Sequence, residues 1–240
     1  MLLTYTELLQ ESALLFLTFA GSVITALIAG IAFHEFSHAF TADRLGDKTA
    51  RLLGRVSLNP LRHLDPAGTA FLVIGGFGWG KPVPVNPSRL RNGPQTGRAM
   101  VAAAGPLANL LLASLAAAPL QLGLVEWRSP FLVPRSVSGW GLDEYAGLYL
   151  SAVIIFNVVL AVFNLLPLAP LDGFSVAVGL LPRDLSRTVA QLEQYGPGIL
   201  MILIVMPFVT QGKVSLLHSI MSPVINGLTT LIAGHGHAIG

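Results

Sequence analysis

The sequence predicts an all-α, polytopic membrane protein, from its composition, its long uncharged apolar runs and one Gly/Pro-rich interruption between them. Of the 240 residues, 53% are hydrophobic and only 11% are charged, whereas a typical soluble domain carries about 25% charged residues. The formal net charge of +2 is too small for a nucleic-acid-binding surface, and no basic stripe with interleaved aromatic residues occurs. The expected surroundings are therefore a lipid bilayer, with no nucleic-acid partner.

Three long apolar runs are the first candidates for spanning helices, because about 20 apolar residues cross the hydrocarbon core. These runs, each free of charged residues, are 12–33, 99–125 and 145–171. No Lys or Arg precedes the first run, so we expect it to remain as a membrane anchor rather than act as a cleaved secretory signal.

Two further candidates lie near the C-terminus, within residues 194–232. The run 194–212 is short, and Pro223 and Gly227 interrupt the run 214–232. The sequence therefore predicts one or two additional spans after the three long ones.

The apolar stretch 66–80 is too short to span the bilayer, and the segment GGFGWGKPVPVNP that overlaps its end is rich in Gly and Pro. Such a composition strongly disfavours a helix. We expect a short re-entrant, β-like loop. Irregular backbone at membrane depth is tolerated only where it is buried in protein or lines a cavity, so the loop indicates a site nearby.

Basic residues predict the orientation of the chain. Nine Lys and Arg residues lie between the first and second long runs, but only two lie in the loop 126–144. By the positive-inside rule, the first set lies in the cytoplasm. The expected location is the cell membrane, with the ends of the first and third spans, near His34 and Asp172, facing the cytoplasmic side.

The motif HEFSH at residues 34–38 ends the first run. On a helix, His34 and His38 lie on one face a turn apart and can bind one zinc ion, while Glu35 can act on a water whose pKa the zinc lowers. The chain has no cysteine, so a metal needs His, Asp or Glu ligands. The alternative is a helix end whose His and Glu face lipid headgroups.

A catalytic zinc site needs a third protein ligand, and Asp172 is the candidate. It follows the third run in NLLPLAPLDG, where Pro167 and Pro170 interrupt the helix and Gly173 permits an unusual turn. The alternative is that Asp172 caps the next helix, since Asp is favoured at that position. The HEFSH motif on the same side of the membrane favours the ligand interpretation.

The chain resembles the site-2 protease family of intramembrane zinc metalloproteases, in its compact prokaryotic form without a PDZ domain. The motifs HEFSH at 34–38, AGPLANLLLA at 104–113 and FNLLPLAPLDG at 163–173 carry the resemblance, and Ala169 departs from it where many members have proline. The resemblance implies one Zn²⁺ per chain bound by His34, His38 and Asp172, with Glu35 as general base. It also implies a three-helix catalytic core, within a single protease domain 1–240 whose core covers about 13–175.

The resemblance also singles out Asn109, whose amide could donate a hydrogen bond to the oxyanion of the tetrahedral intermediate. Its alternative role is hydrogen bonding between helices. Asn157 and Asn164 are expected to bond backbone groups freed at Pro167. His63 and Asp65 are expected to be interfacial, with support of the metal ligands as the alternative. His218 is expected to be structural. His235 and His237 are expected to be incidental surface residues, with casual metal binding as the alternative.

The predicted activity is hydrolysis of peptide bonds in or near transmembrane segments of other proteins, with the loop 72–86 pairing with the substrate as an added strand. The alternatives are an inactive relative that binds partner helices and a metal transporter. The intact Glu35 disfavours the first, because metal binding alone requires no base. Polar residues gathered at one depth disfavour the second. The sequence does not specify the substrate or the oligomeric state.

Overall fold

The computed structural model describes residues 12–68, 80–131, 137 and 139–234, and this part of the chain is helical with no strand. Its α-helices, in chain order, are α1 (Ala13–Arg44), α2 (Thr49–Leu52), α3 (Pro94–Gln121), α4 (Leu142–Asn164), α5 (Asp172–Leu180), α6 (Arg183–Ala190), α7 (Gly196–Val209) and α8 (Leu216–Ala233). Three 3₁₀ turns accompany them at Pro60–Arg62, Pro87–Arg89 and Gln191–Tyr195.

Five helical segments in the described part are long and apolar enough to span a membrane, which confirms the predicted fold class. They are Ala13–Arg44, Pro94–Gln121, Leu142–Asn164, Arg183–Val209 and Leu216–Ala233. The fourth consists of α6, a 3₁₀ turn and α7 in direct succession. Both C-terminal candidates therefore form helices of spanning length.

The helix ends differ from the predicted runs, and two of the differences have a clear cause in the sequence. Helix α1 continues beyond residue 33, through the HEFSH motif, to Arg44, because no proline or glycine interrupts residues 31–44. Helix α4 ends at Asn164, not at residue 171. Proline has no N–H and disfavours helical backbone at the residue before it, so Pro167 stops the helix early.

Helices α1, α3 and α4 pack against one another as a three-helix core, and α5 packs against α3. Small residues allow the close approach: Ala113 and Ala117 of α3 are fully buried in a cluster with Ile154 and Val158 of α4, as expected for helix packing in a bilayer. Helix α8 completes this cluster, whereas α7 contacts mainly the turn before it and α8.

The outer face of α3 carries a stripe of leucines at four-residue spacing. Leu107, Leu111 and Leu115 are 61%, 59% and 63% exposed. Apolar patches of this kind are unfavourable in water but suit contact with lipid tails. The stripe supports the assignment of these helices to the bilayer.

The connection between α1 and α3 is held by a buried carboxylate. The fully buried side chain of Asp47 accepts hydrogen bonds from the Thr49 amide at 3.1 Å and the Asn86 amide at 2.6 Å. Burial alone would raise the pKa of Asp47, but the hydrogen bonds from Thr49 and Asn86 outweigh it and keep the pKa below its usual range. Asp47 thereby fixes residue 86 beside the start of α2.

The predicted re-entrant loop falls mostly on residues 69–79, which lie outside the described residues. At its end, Gly80 forms an isolated antiparallel bridge with Leu64, and residues 81–86 are not helical. The described portion is thus non-helical backbone, while the remainder of the loop stays a prediction.

Candidate metal centre

Helix α1 presents two imidazoles on one face. His34 and His38 are both buried, and their ring centroids are 4.6 Å apart with the rings nearly perpendicular. The helical spacing of four residues accounts for this arrangement. The two Nε2 atoms therefore face the same space within the three-helix core.

The interrupted chain after α4 brings a carboxylate into that space. Asp172 is the first residue of α5, and Leu171 occupies the N-cap position, so Asp172 does not cap the helix. The Asp172 Oδ2 atom lies 3.0 Å from His34 Nε2 and 3.2 Å from His38 Nε2. One ligand atom from each of the three residues lies within 4.8 Å of the others.

The other nitrogen of each ring is held from α3. His34 Nδ1 is 2.7 Å from Asn109 Oδ1, and His38 Nδ1 is 2.7 Å from the Val101 carbonyl oxygen. A carbonyl oxygen can only accept, so His38 donates its Nδ1 proton to Val101. A neutral ring in this tautomer carries a lone pair on Nε2, the form that binds a metal.

The donor set fits zinc. With neutral rings, two Nε2 lone pairs and the buried Asp172 Oδ2 converge, and Oδ2 has no hydrogen-bond partner. Three electron-pair donors this close repel one another unless a proton or a metal cation lies among them. Two imidazoles and one carboxylate form a recognised catalytic zinc set that leaves one coordination position open.

Gly105 of α3 provides the room that this cluster needs. A Cβ atom at residue 105 would lie 2.5 Å from His38 Nε2 and 2.6 Å from His34 Nε2. Those distances are too short for nonbonded atoms, and the rings cannot withdraw because Asn109 and Val101 hold them. The sequence marks residues 102–105 only as small, and nothing in it shows which one faces the histidines.

We therefore expect Gly105→Ala to lower zinc affinity by at least about 10-fold, since disturbing the surroundings that orient metal ligands typically costs 10–100-fold. The matched control is Gly227→Ala in α8, where an added Cβ meets nothing within 4 Å. Both changes replace a glycine by alanine inside a helix and raise helix propensity by a similar amount, so their general effects on folding should be equal. Equal zinc affinities of the two variants, measured by chelator competition, would contradict the steric role of Gly105.

Glu35 faces an apolar cavity of about 580 Å³ that also contains the three clustered side chains. Among the described residues it makes no hydrogen bond and no ion pair. A Cβ at Gly80 would lie 3.5 Å from Glu35 Oε1, so the non-helical segment passes close to this carboxylate. Glu35 is thus a carboxylate beside the cluster with its oxygens uncommitted.

Two residues anchor the first part of the segment 80–85, which forms one wall of the cavity. The buried guanidinium of Arg55 donates to the carbonyl oxygens of Lys81 and Pro82. The Lys81 amide donates to the His63 carbonyl at 2.7 Å. His63 is fully buried, with its Nε2 2.6 Å from the Ser57 carbonyl. The structure thus places the His63 ring inside the protein, while its predicted position at the membrane interface stays a prediction.

Asn109 is fully buried at the centre of the core. Its Nδ2 donates to the Gly30 carbonyl and to Asn157 Oδ1, each at 3.1 Å. Both amide hydrogens are therefore used within the protein. The predicted oxyanion contact requires release of one of these hydrogen bonds and stays a prediction.

The other polar candidates lie outside the cluster. Asn157 and Asn164 donate to the carbonyls of Val153 and Leu160, four residues earlier in α4, rather than to backbone freed at Pro167. His218 is exposed on α8. Asp65 accepts from the Gly68 amide at 2.8 Å, and residues 235 and 237 lie outside the described part.

Comparison with known proteins identifies the family of this chain. The model of peptidase family M50 matches residues 22–129, which include the HEFSH motif and Asn109. "Putative zinc metalloprotease YwhC" of Bacillus subtilis is 37% identical over 185 residues, covering 77% of this chain and 80% of the relative. The chain belongs to peptidase family M50.

Two further M50 relatives are also named as zinc metalloproteases. "Putative zinc metalloprotease Rip2" of Mycolicibacterium smegmatis is 33% identical over 192 residues, or 77% of this chain and 67% of the relative. Its namesake in Mycobacterium tuberculosis is 30% identical over 200 residues, which cover 80% of this chain and 70% of the relative. No solved structure gives a significant match. This M50 peptidase is a zinc-dependent metalloprotease and a multi-pass membrane protein.

Proposed function

We propose that this M50 peptidase hydrolyses peptide bonds in or near the transmembrane segments of other membrane proteins. The observation that carries the proposal is the cluster of His34, His38 and Asp172 beside the uncommitted Glu35, inside a cavity between apolar helices. A polypeptide embedded in the membrane would reach a peptidase centre between apolar helices from the hydrocarbon region. The substrate class is accordingly a membrane-embedded polypeptide.

The residues have distinct roles in this proposal. His34, His38 and Asp172 would hold one zinc ion, which supplies Lewis acidity and lowers the pKa of a water molecule toward about 7. Glu35 accepts a proton from the attacking water and passes it to the leaving amine as the peptide bond breaks. Asn109 keeps His34 in place and, if released from one partner, can donate to the developing oxyanion.

The proposed orientation places the centre toward the cytoplasmic side of the cell membrane. Seven of the nine basic residues between the first two predicted spans lie in the connection from α1 to α3, with Arg44 and Arg98 in the adjoining helix ends. The motif 34–38 lies within three turns of the end of α1 that leads into this connection. The positive-inside rule supports a cytoplasmic location for that connection.

The wall formed by residues 80–85 suits an extended substrate. A peptide bond inside an intact helix is inaccessible to attack, so the substrate must unwind locally and present extended backbone. Gly80, Pro82, Val83 and Val85 line the cavity. Pro82 and Pro84 have no N–H, so at these two positions the wall can only accept hydrogen bonds from a paired strand.

We expect Val83→Pro to reduce cleavage of a membrane substrate by about 10-fold or more, because it removes an N–H from a wall that already lacks two. Zinc content should not change, since residue 83 contributes nothing to the cluster. Val83→Leu is the matched control, which keeps the N–H and an apolar side chain. Unchanged cleavage by Val83→Pro would refute strand pairing at this wall.

Reconstitution tests the proposed function itself. The purified protein is placed in liposomes with a panel of single-span membrane proteins, and products are located by mass spectrometry. We expect cleavage within or a few residues from the apolar segment, lost on chelation and restored by zinc. Cleavage confined to water-soluble polypeptides would contradict the proposed substrate class.

A further inference from the structure

A chain of buried amides joins α4 to the first histidine of the cluster. Asn157 Nδ2 donates to the Val153 carbonyl at 3.0 Å, and Asn157 Oδ1 accepts from Asn109 Nδ2 at 3.1 Å. Asn109 Oδ1 in turn lies 2.7 Å from His34 Nδ1. Asn157 and Asn109 are both buried in the three-helix core. Each group in the chain therefore depends on its neighbours for hydrogen bonds.

Glycine at position 30 makes this series of hydrogen bonds possible. Its carbonyl oxygen accepts from Asn109 Nδ2 at 3.1 Å. A Cβ atom at residue 30 would lie 2.9 Å from Asn157 Oδ1 and 3.3 Å from Asn109 Nδ2. The α1 backbone thus approaches the amides closely enough to take part in the network.

The backbone carbonyls of Val153 and Gly30 fix the direction of every hydrogen bond between Asn157, Asn109 and His34. The Val153 oxygen can only accept, so Asn157 must turn its NH₂ toward Val153 and its oxygen toward Asn109. The Gly30 oxygen can also only accept, so the NH₂ of Asn109 faces Gly30 and Asn157. The remaining Asn109 oxygen then faces His34 and requires a proton on Nδ1.

We propose that Asn157 is a positioning residue that, acting through Asn109, holds His34 in the tautomer with a proton on Nδ1 and a free lone pair on Nε2. This inference rests on the proposed zinc centre. The opposite tautomer would direct an N–H at Asp172 and remove one ligand from the cluster. Asn157 itself has no described contact with the cluster and does not line the cavity.

His38 provides an internal comparison. Its Nδ1 bonds directly to the Val101 carbonyl, so backbone alone sets its tautomer. Only His34 depends on side-chain amides. A change at Asn157 should therefore disturb one of the two imidazole ligands and leave the other in place.

The test compares three variants in α4. Asn157→Leu keeps the size of the side chain but removes the acceptor for Asn109. The Asn109 amide is then free to flip, so that its NH₂ in place of its oxygen can face His34. Asn157→Asp keeps an acceptor facing Asn109. Asn164→Leu is the matched control, because Asn164 makes the same bond to a carbonyl four residues earlier but has no described link to His34.

Zinc affinity is measured by chelator competition, and the ligand field by the visible spectrum of the cobalt-substituted protein. We expect Asn157→Leu to bind zinc about 10-fold or more weakly, within the range for residues that orient metal ligands, with an altered cobalt spectrum. Asn157→Asp and Asn164→Leu should resemble wild type in both measurements.

Two results would overturn the inference while leaving the proposed function intact. One is wild-type zinc affinity and an unchanged cobalt spectrum in Asn157→Leu. The other, which can be read even if Asn157→Leu fails to fold, is a loss of zinc affinity of about 10-fold or more in Asn157→Asp, although this variant keeps the acceptor facing Asn109. A wild-type protein that binds no zinc would overturn the proposed function and this inference together.

Discussion

Glu35→Gln protein is expected to retain its zinc while its peptidase activity falls by about 10²–10⁴-fold, the usual contribution of a general base. Glutamine has nearly the size of glutamate but cannot accept the proton of the attacking water. Glu35 makes no hydrogen bond or ion pair with the described residues, so the substitution breaks no described interaction. Activity and zinc content are measured on the same reconstituted preparation.

The control for this substitution is Glu126→Gln. Glu126 is 82% exposed in its side chain and, among the described residues, forms only a surface ion pair with Arg128, which contributes little to stability. This variant should match wild type in activity. Undiminished cleavage by Glu35→Gln would remove Glu35 from the mechanism, and loss of zinc together with activity would make it a metal ligand instead.

Asp172→Ala is expected to lower zinc affinity by roughly 10²–10³-fold and activity with it. An even share of the 10–16 kcal/mol found for four-ligand zinc sites is about 2.5–4 kcal/mol per ligand, and each 1.4 kcal/mol is tenfold. The substitution removes the Oδ2 atom that lies 3.0 and 3.2 Å from the two imidazoles. Zinc titration of the metal-free variant measures the loss.

Asp184→Ala provides the matched control, because Asp184 also lies in the first turn of a helix, α6, but is exposed. Loss of an acidic residue at a helix N-terminus costs only about 0.3–1 kcal/mol, so both variants should fold. If Asp172→Ala and Asp184→Ala bind zinc equally well, the third ligand is another residue.

Local sequence signals were sufficient to predict the spanning helices and the residues that form the cluster. Charge-free runs of about 20 residues identify helices in lipid whatever their partners. The spacing of His34 and His38 is itself a helical property, so their common face follows from the motif. Asp172 is marked by the prolines that break the helix before it, although the end of α4 came seven residues earlier than the hydropathy indicated.

The supporting interactions could not be predicted, because they depend on how helices distant in sequence are rotated against one another. Asn109 and Asn157 are 48 residues apart, and Asn109 and Gly30 are 79 apart. Their hydrogen bonds require a particular rotation of α3 against α1 and α4, which hydropathy does not specify. Gly105 is one of several small residues on α3, and only the packed structure shows that it faces the imidazoles. Arg55 resembles any other arginine between α1 and α3 until its contacts with residues 81 and 82 are seen.

Zinc content, measured by elemental analysis of detergent-purified wild-type protein, decides whether His34, His38 and Asp172 form a metal centre. About one zinc per chain is expected, removable by a chelator and restored by titration with zinc, with peptidase activity following occupancy. A well-folded protein that contains no zinc and takes up none when zinc is supplied would contradict the metal centre and the peptidase mechanism built on it.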